Sequence, residues 1–86
     1  MATRADFDGW LLDALTELGG RAGIVDVCKH IWNNHERQLR ESGDLFYTWQ
    51  YDTRWAADHL RRKGVMKPAT ASPKGLWELL KIRSRK

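Results

Sequence analysis

A single cysteine, Cys28, leaves this chain of 86 residues unable to form an internal disulfide. Stability must therefore come from packing, and a lone thiol suits a reducing cytoplasm better than an oxidising compartment. Its place among apolar helix positions reads as a buried thiol and not as a nucleophile or ligand. No apolar run approaches the roughly 18 residues that span a bilayer, and a start carrying Asp6 and Asp8 lacks the pattern of a secretory signal. The expectation is a soluble cytoplasmic protein with no membrane partner. Metal spacings are missing too: His30, His35 and His59 give no His-x3-His, and Cys28-x-His30 cannot place two ligands on one helical face. With no paired carboxylates, phosphate-cradling glycine loop or Ser/His/Asp set, neither an enzyme nor a cofactor is expected.

Proline is scarce. Only Pro68 and Pro73 occur, and they bracket Ala-Thr-Ala-Ser, so the remainder of the chain is free to form helices. Phe7, Leu11, Ala14, Leu15 and Leu18 share one face of a first helix that Asp6 can cap and Gly19-Gly20 can stop. Arg21-Ala22 leaves room for a short strand. Ile24, Val27, Cys28 and Ile31 repeat at helical spacing in a second helix, which either continues or restarts through Asn33 to Arg40 before Ser42-Gly43 breaks it. Thr48 is a good N-cap for a third helix of about 15 residues, stapled by Phe46-Tyr47 and ended by Gly64. Val65-Met66-Lys67 and Leu76-Trp77-Glu78-Leu79 supply two short strands. The expected fold is α+β: a winged helix-turn-helix of three helices and a C-terminal β-hairpin wing, spanning residues 1–80, with a basic tail at 81–86. A domain this small buries only roughly 60–65% of its unfolded surface, and five Trp help to fill the core.

Charge is unevenly spread. Residues 1–47 carry five Lys or Arg against eight Asp or Glu, whereas residues 48–86 carry ten against three. The basic half is the half with the third helix and hairpin, the footprint expected where one face meets phosphates. Part of that excess lies in the tail, which a solvated end would explain equally well.

On a helical wheel, Trp49, Thr53, Ala56 and Leu60 fall on one face of the third helix, with Gln50, Arg54, Ala57 and Arg61 opposite. Gln50, Tyr51, Arg54, Asp58 and Arg61 are the candidate base contacts, because Arg and Gln offer planar forks that match guanine and adenine edges in the major groove. Arg62, Lys63, Lys67, Thr70, Ser72 and Lys74 are the candidate backbone contacts, since lysines and small hydroxyls suit phosphate oxygens. The plainer reading is a solvated helix face with Arg54 and Asp58 paired at i, i+4, beside an ordinary exposed hairpin.

Several strings resemble the N-terminal winged-helix domain of Mrr-type restriction endonucleases: Ser42-Gly43, Arg54-Trp55-Ala56, Leu60-Arg61-Arg62-Lys63-Gly64-Val65 and Pro73-Lys74-Gly75-Leu76-Trp77. The similarity spans roughly residues 10–80 and is most specific in the second half. In that family this domain finds DNA and a separate domain cuts it. The acidic-then-Glu/Gln-x-Lys arrangement of such nucleases is missing here, so the resemblance implies a stand-alone binding version and a phage or restriction context.

The leading expectation is a small protein that binds double-stranded DNA with helix 49–63 in the major groove and the 65–79 hairpin on the backbone or minor groove. One such module offers little area, which favours a homodimer. The rival is a winged-helix module that holds a protein partner through exposed aromatics. Trp32 and Trp55, on helix flanks, are the candidates for that patch.

Overall fold

The computed structural model describes residues 3–80, so the basic tail expected at 81–86 lies outside the described residues. The fold is α+β: helix α1 (Asp6–Glu17), strand β1 (Arg21–Gly23), helix α2 (Ile24–Arg40), helix α3 (Leu45–Arg62), a 3₁₀ turn (Ala69–Ala71) and strand β2 (Leu76–Glu78). No helix among the described residues is long and apolar enough to cross a membrane.

The three helices meet along most of the apolar stripes expected of them, but Leu18, expected on the packed face of α1, is exposed at that helix's C-cap. Phe7, Leu11, Ala14 and Leu15 of α1, Val27, Ile31 and Leu39 of α2, and Trp49, Ala56, Ala57 and Leu60 of α3 form one core with Met66, Trp77 and Leu79. Two polar contacts tie α1 to α3. Arg4, just before α1, donates from Nε to Asp52 Oδ1 at 3.1 Å, and Asp8 Oδ2 lies 2.5 Å from His59 Nδ1. Asp52 is buried, and Thr48 Oγ1 donates to its other oxygen at 2.8 Å, so both carboxylate oxygens have a partner.

The helix ends explain where the sequence expectations shift. Asp6 does not cap α1. The N-cap is Ala5, and Asp6 sits in the first turn, where its Oδ2 accepts from Thr3 N at 2.9 Å. Thr48 does not cap α3 either: the helix begins a turn earlier at Leu45, because Leu45 and Phe46 find apolar contacts, Phe46 facing the Trp32 ring at 6.4 Å. Thr48 is thereby free to serve Asp52. Gly64, at φ +80°, closes α3 as expected: Val65 N donates to Leu60 O at 2.9 Å and Gly64 N to Arg61 O at 3.1 Å, the paired bonds of a left-handed C-terminal cap. Gly19-Gly20 ends α1 in the same manner, with Gly20 N donating to Leu15 O at 2.7 Å.

Helix α2 runs through to Arg40, but His35 breaks its regularity with φ −133° and ψ 20°. The kink lays the His35 ring flat on Trp10, centroids 3.9 Å apart, and leaves its buried Nδ1 without a hydrogen-bond partner. Burial lowers the His35 pKa from its ordinary 6.5, against the opposing pull of a hydrogen bond with Gln38 and the charge of Asp13.

The sheet departs most from the expected hairpin. Strand β2 pairs antiparallel with β1, in the register Arg21↔Glu78, Ala22↔Trp77 and Gly23↔Leu76. Val65-Met66-Lys67 contributes only the single bridge Met66↔Leu79. The reason is the segment between them, which folds into the 3₁₀ turn after Pro68 and uses chain that a longer ladder would need. The short Arg21-Ala22 strand therefore supplies the sheet's main pairing.

Leu60 is only 4% exposed at the junction of α3 with this core. Leu60→Ala should cost about 2–5 kcal/mol, a large fraction of a small domain's stability, and a thermal melt should show it as a pronounced fall in midpoint.

Candidate nucleic-acid interface

The roll of α3 about its axis decides what it displays. Gln50, Tyr51, Arg54 and Asp58 are all exposed, as expected. Ala57, expected on the outward face, is instead buried at 1% exposure. At about 100° per residue it stands only about 80° from Trp49, on the flank of the packed face and not opposite it. The ridge that points to solvent runs through Tyr47, Tyr51, Arg54, Asp58 and Arg62, all exposed. Tyr47 was not among the expected site residues, although its i, i+4 spacing to Tyr51 would have revealed it had α3 been started early enough.

Arg61 leaves the ridge. It is half-buried, its Nε donating to Lys67 O at 3.0 Å, so it braces the junction between α3 and the following loop. Its Nη1 also lies 3.5 Å from Asp58 Oδ1. The i, i+4 pair expected between Arg54 and Asp58 is thus replaced by an i, i+3 pair between Asp58 and Arg61. Among the described residues, Arg54 is left without a carboxylate.

The 67–75 loop divides in the same way. Glu78, nearly buried on β2, gathers three of the polar groups around it: Ser72 Oγ donates to Oε1 at 2.8 Å, Lys67 Nζ lies 3.7 Å from Oε1, and Arg21 Nε lies 3.4 Å from Oε2. Ser72 and Lys67, expected on phosphates, are engaged here with the sheet, whereas Thr70 and Lys74 are exposed. The Ser72 hydrogen bond holds the Glu78 carboxyl below its ordinary 4.5 despite burial, and the charges of Lys67 and Arg21 add to the fall.

Among the described residues, Lys29, Arg37, Arg54, Arg62, Lys63 and Lys74 are exposed and make no ion pair. Four of these belong to α3, its C-cap and the loop. Lys29 on α2 was missed because that helix was read for its apolar stripe alone; it stands one turn from both Val25 and Trp32.

Trp55 and Trp32 do not form one patch. Trp55 is 41% exposed and lies under two guanidiniums, Arg4 at 4.7 Å and Arg62 at 5.9 Å from its ring centroid. Trp32 is half-buried on the other flank of α3, stacked on Trp49 with centroids 5.9 Å apart. Beside it opens a groove of about 580 Å³ between α2 and α3, and Cys28, expected to be buried, is half-exposed in its wall. No group of three or more His, Cys, Asp or Glu among the described residues is arranged to hold a metal ion.

No family model, curated protein or solved structure matches this chain.

Two groups give the fold a defined acid response. The folded-state pKa values of both His35 and Glu78 lie below their ordinary values, so each contributes stability above its ordinary value and loses it as pH falls through the folded one. Stability should decline below pH 6.5 as His35 is charged, then further below pH 4.5 as Glu78 is protonated. Chemical denaturation at a series of pH values checks this, and Glu78→Gln should flatten the lower step alone.

Proposed function

We propose that this protein is a small winged-helix DNA-binding protein, with α3 in the major groove and the 65–79 segment on the backbone or minor groove. The observation that carries the reading is the unpaired Arg54 on the outward ridge of α3. Asp52, two residues before it, is buried against Arg4 and Thr48, and Asp58, one turn on, is turned to Arg61, so the Arg54 fork is available for a base edge. Gln50 and Tyr51 stand exposed beside it, and Arg62, Lys63 and Lys74 extend the positive surface towards positions where phosphates would run. Order and composition support the assignment: a three-helix bundle followed by a strand-bounded loop, with the basic excess in the second half of the chain. The resemblance to Mrr-type N-terminal domains supports the same reading and suggests a phage or restriction setting for it. A single module covers about 600–1,000 Å² of DNA, so a homodimer on two half-sites is part of the proposal.

A second reading has its own support. Tyr47 is 82% and Tyr51 64% exposed, and with Trp55 they make an aromatic stripe at i, i+4, i+8 along α3. Such a stripe suits a protein partner, with the positive charge incidental.

Duplex selection followed by anisotropy titration at several salt concentrations separates the two. On the DNA reading, Arg54→Ala weakens the preferred duplex by about 1–3 kcal/mol and leaves the melting temperature unchanged. Lys74→Gln weakens all duplexes alike and lowers the magnitude of the log K against log salt slope by roughly one unit. Parent-like affinity in Arg54→Ala at equal salt would remove α3 as the reading element. Undetectable duplex binding even at low salt would leave the aromatic stripe as the functional face.

A further inference from the structure

The groove between the first half of α2 and the first half of α3 has the build of a ligand site. Its volume, about 580 Å³, falls in the range that holds small organic molecules, and its walls are mostly apolar with a few polar groups at the edge. The Trp32 and Trp49 rings, stacked at an interplanar angle of 21°, give it a broad aromatic side. Val25, 66% exposed, and the half-exposed Cys28 face it from α2. Beside the neutral Asn33 and Gln50, the charged lining has one sign: Lys29 from α2 and Arg54 from α3 both contribute, and among the described residues neither has an ion-pair partner and no Asp or Glu lines the groove. Burial raises the Cys28 thiol pKa above its ordinary 9.0, and the charge of Arg54, close enough across the groove to act on it, only partly opposes the rise.

An aromatic wall with two unpaired cations and no carboxylate fits one kind of occupant. We propose that this groove binds a small amphipathic organic anion of the aryl-carboxylate class, its ring system lying against Trp32 and Trp49 and its carboxylate meeting Lys29 and Arg54. A neutral aromatic would gain the apolar contact but leave the cations unanswered, whereas a cation would be repelled. The binding claim does not rest on the DNA reading, because Lys29 has no part in that reading and neither small-molecule probe is a nucleic acid.

Cys28 supplies the reporter. As the chain's only cysteine, and one that lines the groove, its alkylation by iodoacetamide at mildly alkaline pH reads occupancy at this place and no other. The probes are 1-naphthaleneacetate and its uncharged isostere 1-naphthaleneacetamide. The acid should slow alkylation of the full chain saturably, with the amide needing about ten-fold more for the same protection. Lys29→Gln should bring the two probes together, and Val25→Glu, at an exposed position that tolerates it, should abolish protection by the acid while the circular dichroism melt stays that of the parent. Equal protection by both probes in the parent, protection by neither, or acid protection that survives Val25→Glu would each overturn the proposal. Protection by a short duplex where neither probe protects would also overturn it and make the groove part of the DNA face.

Discussion

The roll of α3 against α1 is the constraint on which the displayed surface depends. Apolar packing alone sets it loosely, because burial has no direction and neighbouring positions such as Ala56 and Ala57 differ little in what they would bury. The polar ties are directional. Asp52 is buried with Arg4 and Thr48 satisfying its two oxygens, and Asp8 meets His59 further along the same helix pair. A different roll would strand a carboxylate in the core, and burying an unpaired charge costs far more than a slightly poorer apolar fit. One acidic side chain thereby excludes the alternatives, and Gln50, Tyr51 and Arg54 face solvent as a result.

Much of this architecture was legible in the sequence. The stripes of α1 and α3 stand out because a helix repeats its apolar side chains regularly and both helices pack along most of their length. Gly64 and Gly19-Gly20 were legible because only glycine takes positive φ without strain. The errors came where a distant contact outranks a local signal. Thr48 looks like a cap until Phe46 finds Trp32 on another helix and draws α3 back by a turn. Arg61 looks outward on a wheel until the Lys67 carbonyl is brought beneath it. Ser72 and Lys67 read as loop polar residues because nothing local reveals that Glu78 will be buried next to them.

For the candidate site the same distinction holds. Arg54 was identifiable from residue type and spacing, since an Arg on the side away from Trp49 and Leu60 must reach solvent. Its freedom from Asp58 was not, because i, i+3 and i, i+4 pairings compete on nearly equal terms and the bracing of Arg61 decides between them. The groove was invisible for a deeper reason: it belongs to two helices at once. Val25, Cys28 and Lys29 on one and Trp49 and Arg54 on the other have meaning only when α2 and α3 are set side by side. Arg54 borders both the groove and the outward ridge, so on the proposed readings a bound anion and a duplex would draw on one guanidinium.

The pairing of β1 with β2 carries a consequence for how the chain reaches this state. Most contacts in a helical domain form between neighbours in sequence and form early, but Arg21 and Glu78 are separated in sequence by all of α2 and α3, and Leu79 N donates to Gly20 O across the same gap. Such closure pays its loop entropy before it gains its contacts. The helices can therefore assemble first, while the sheet that completes the core with Trp77 and Leu79 arrives late. During synthesis on a ribosome, a nascent chain in which residues 76–79 have not yet emerged would hold three helices with one side of their core uncovered, and the emergence of that segment would seal it.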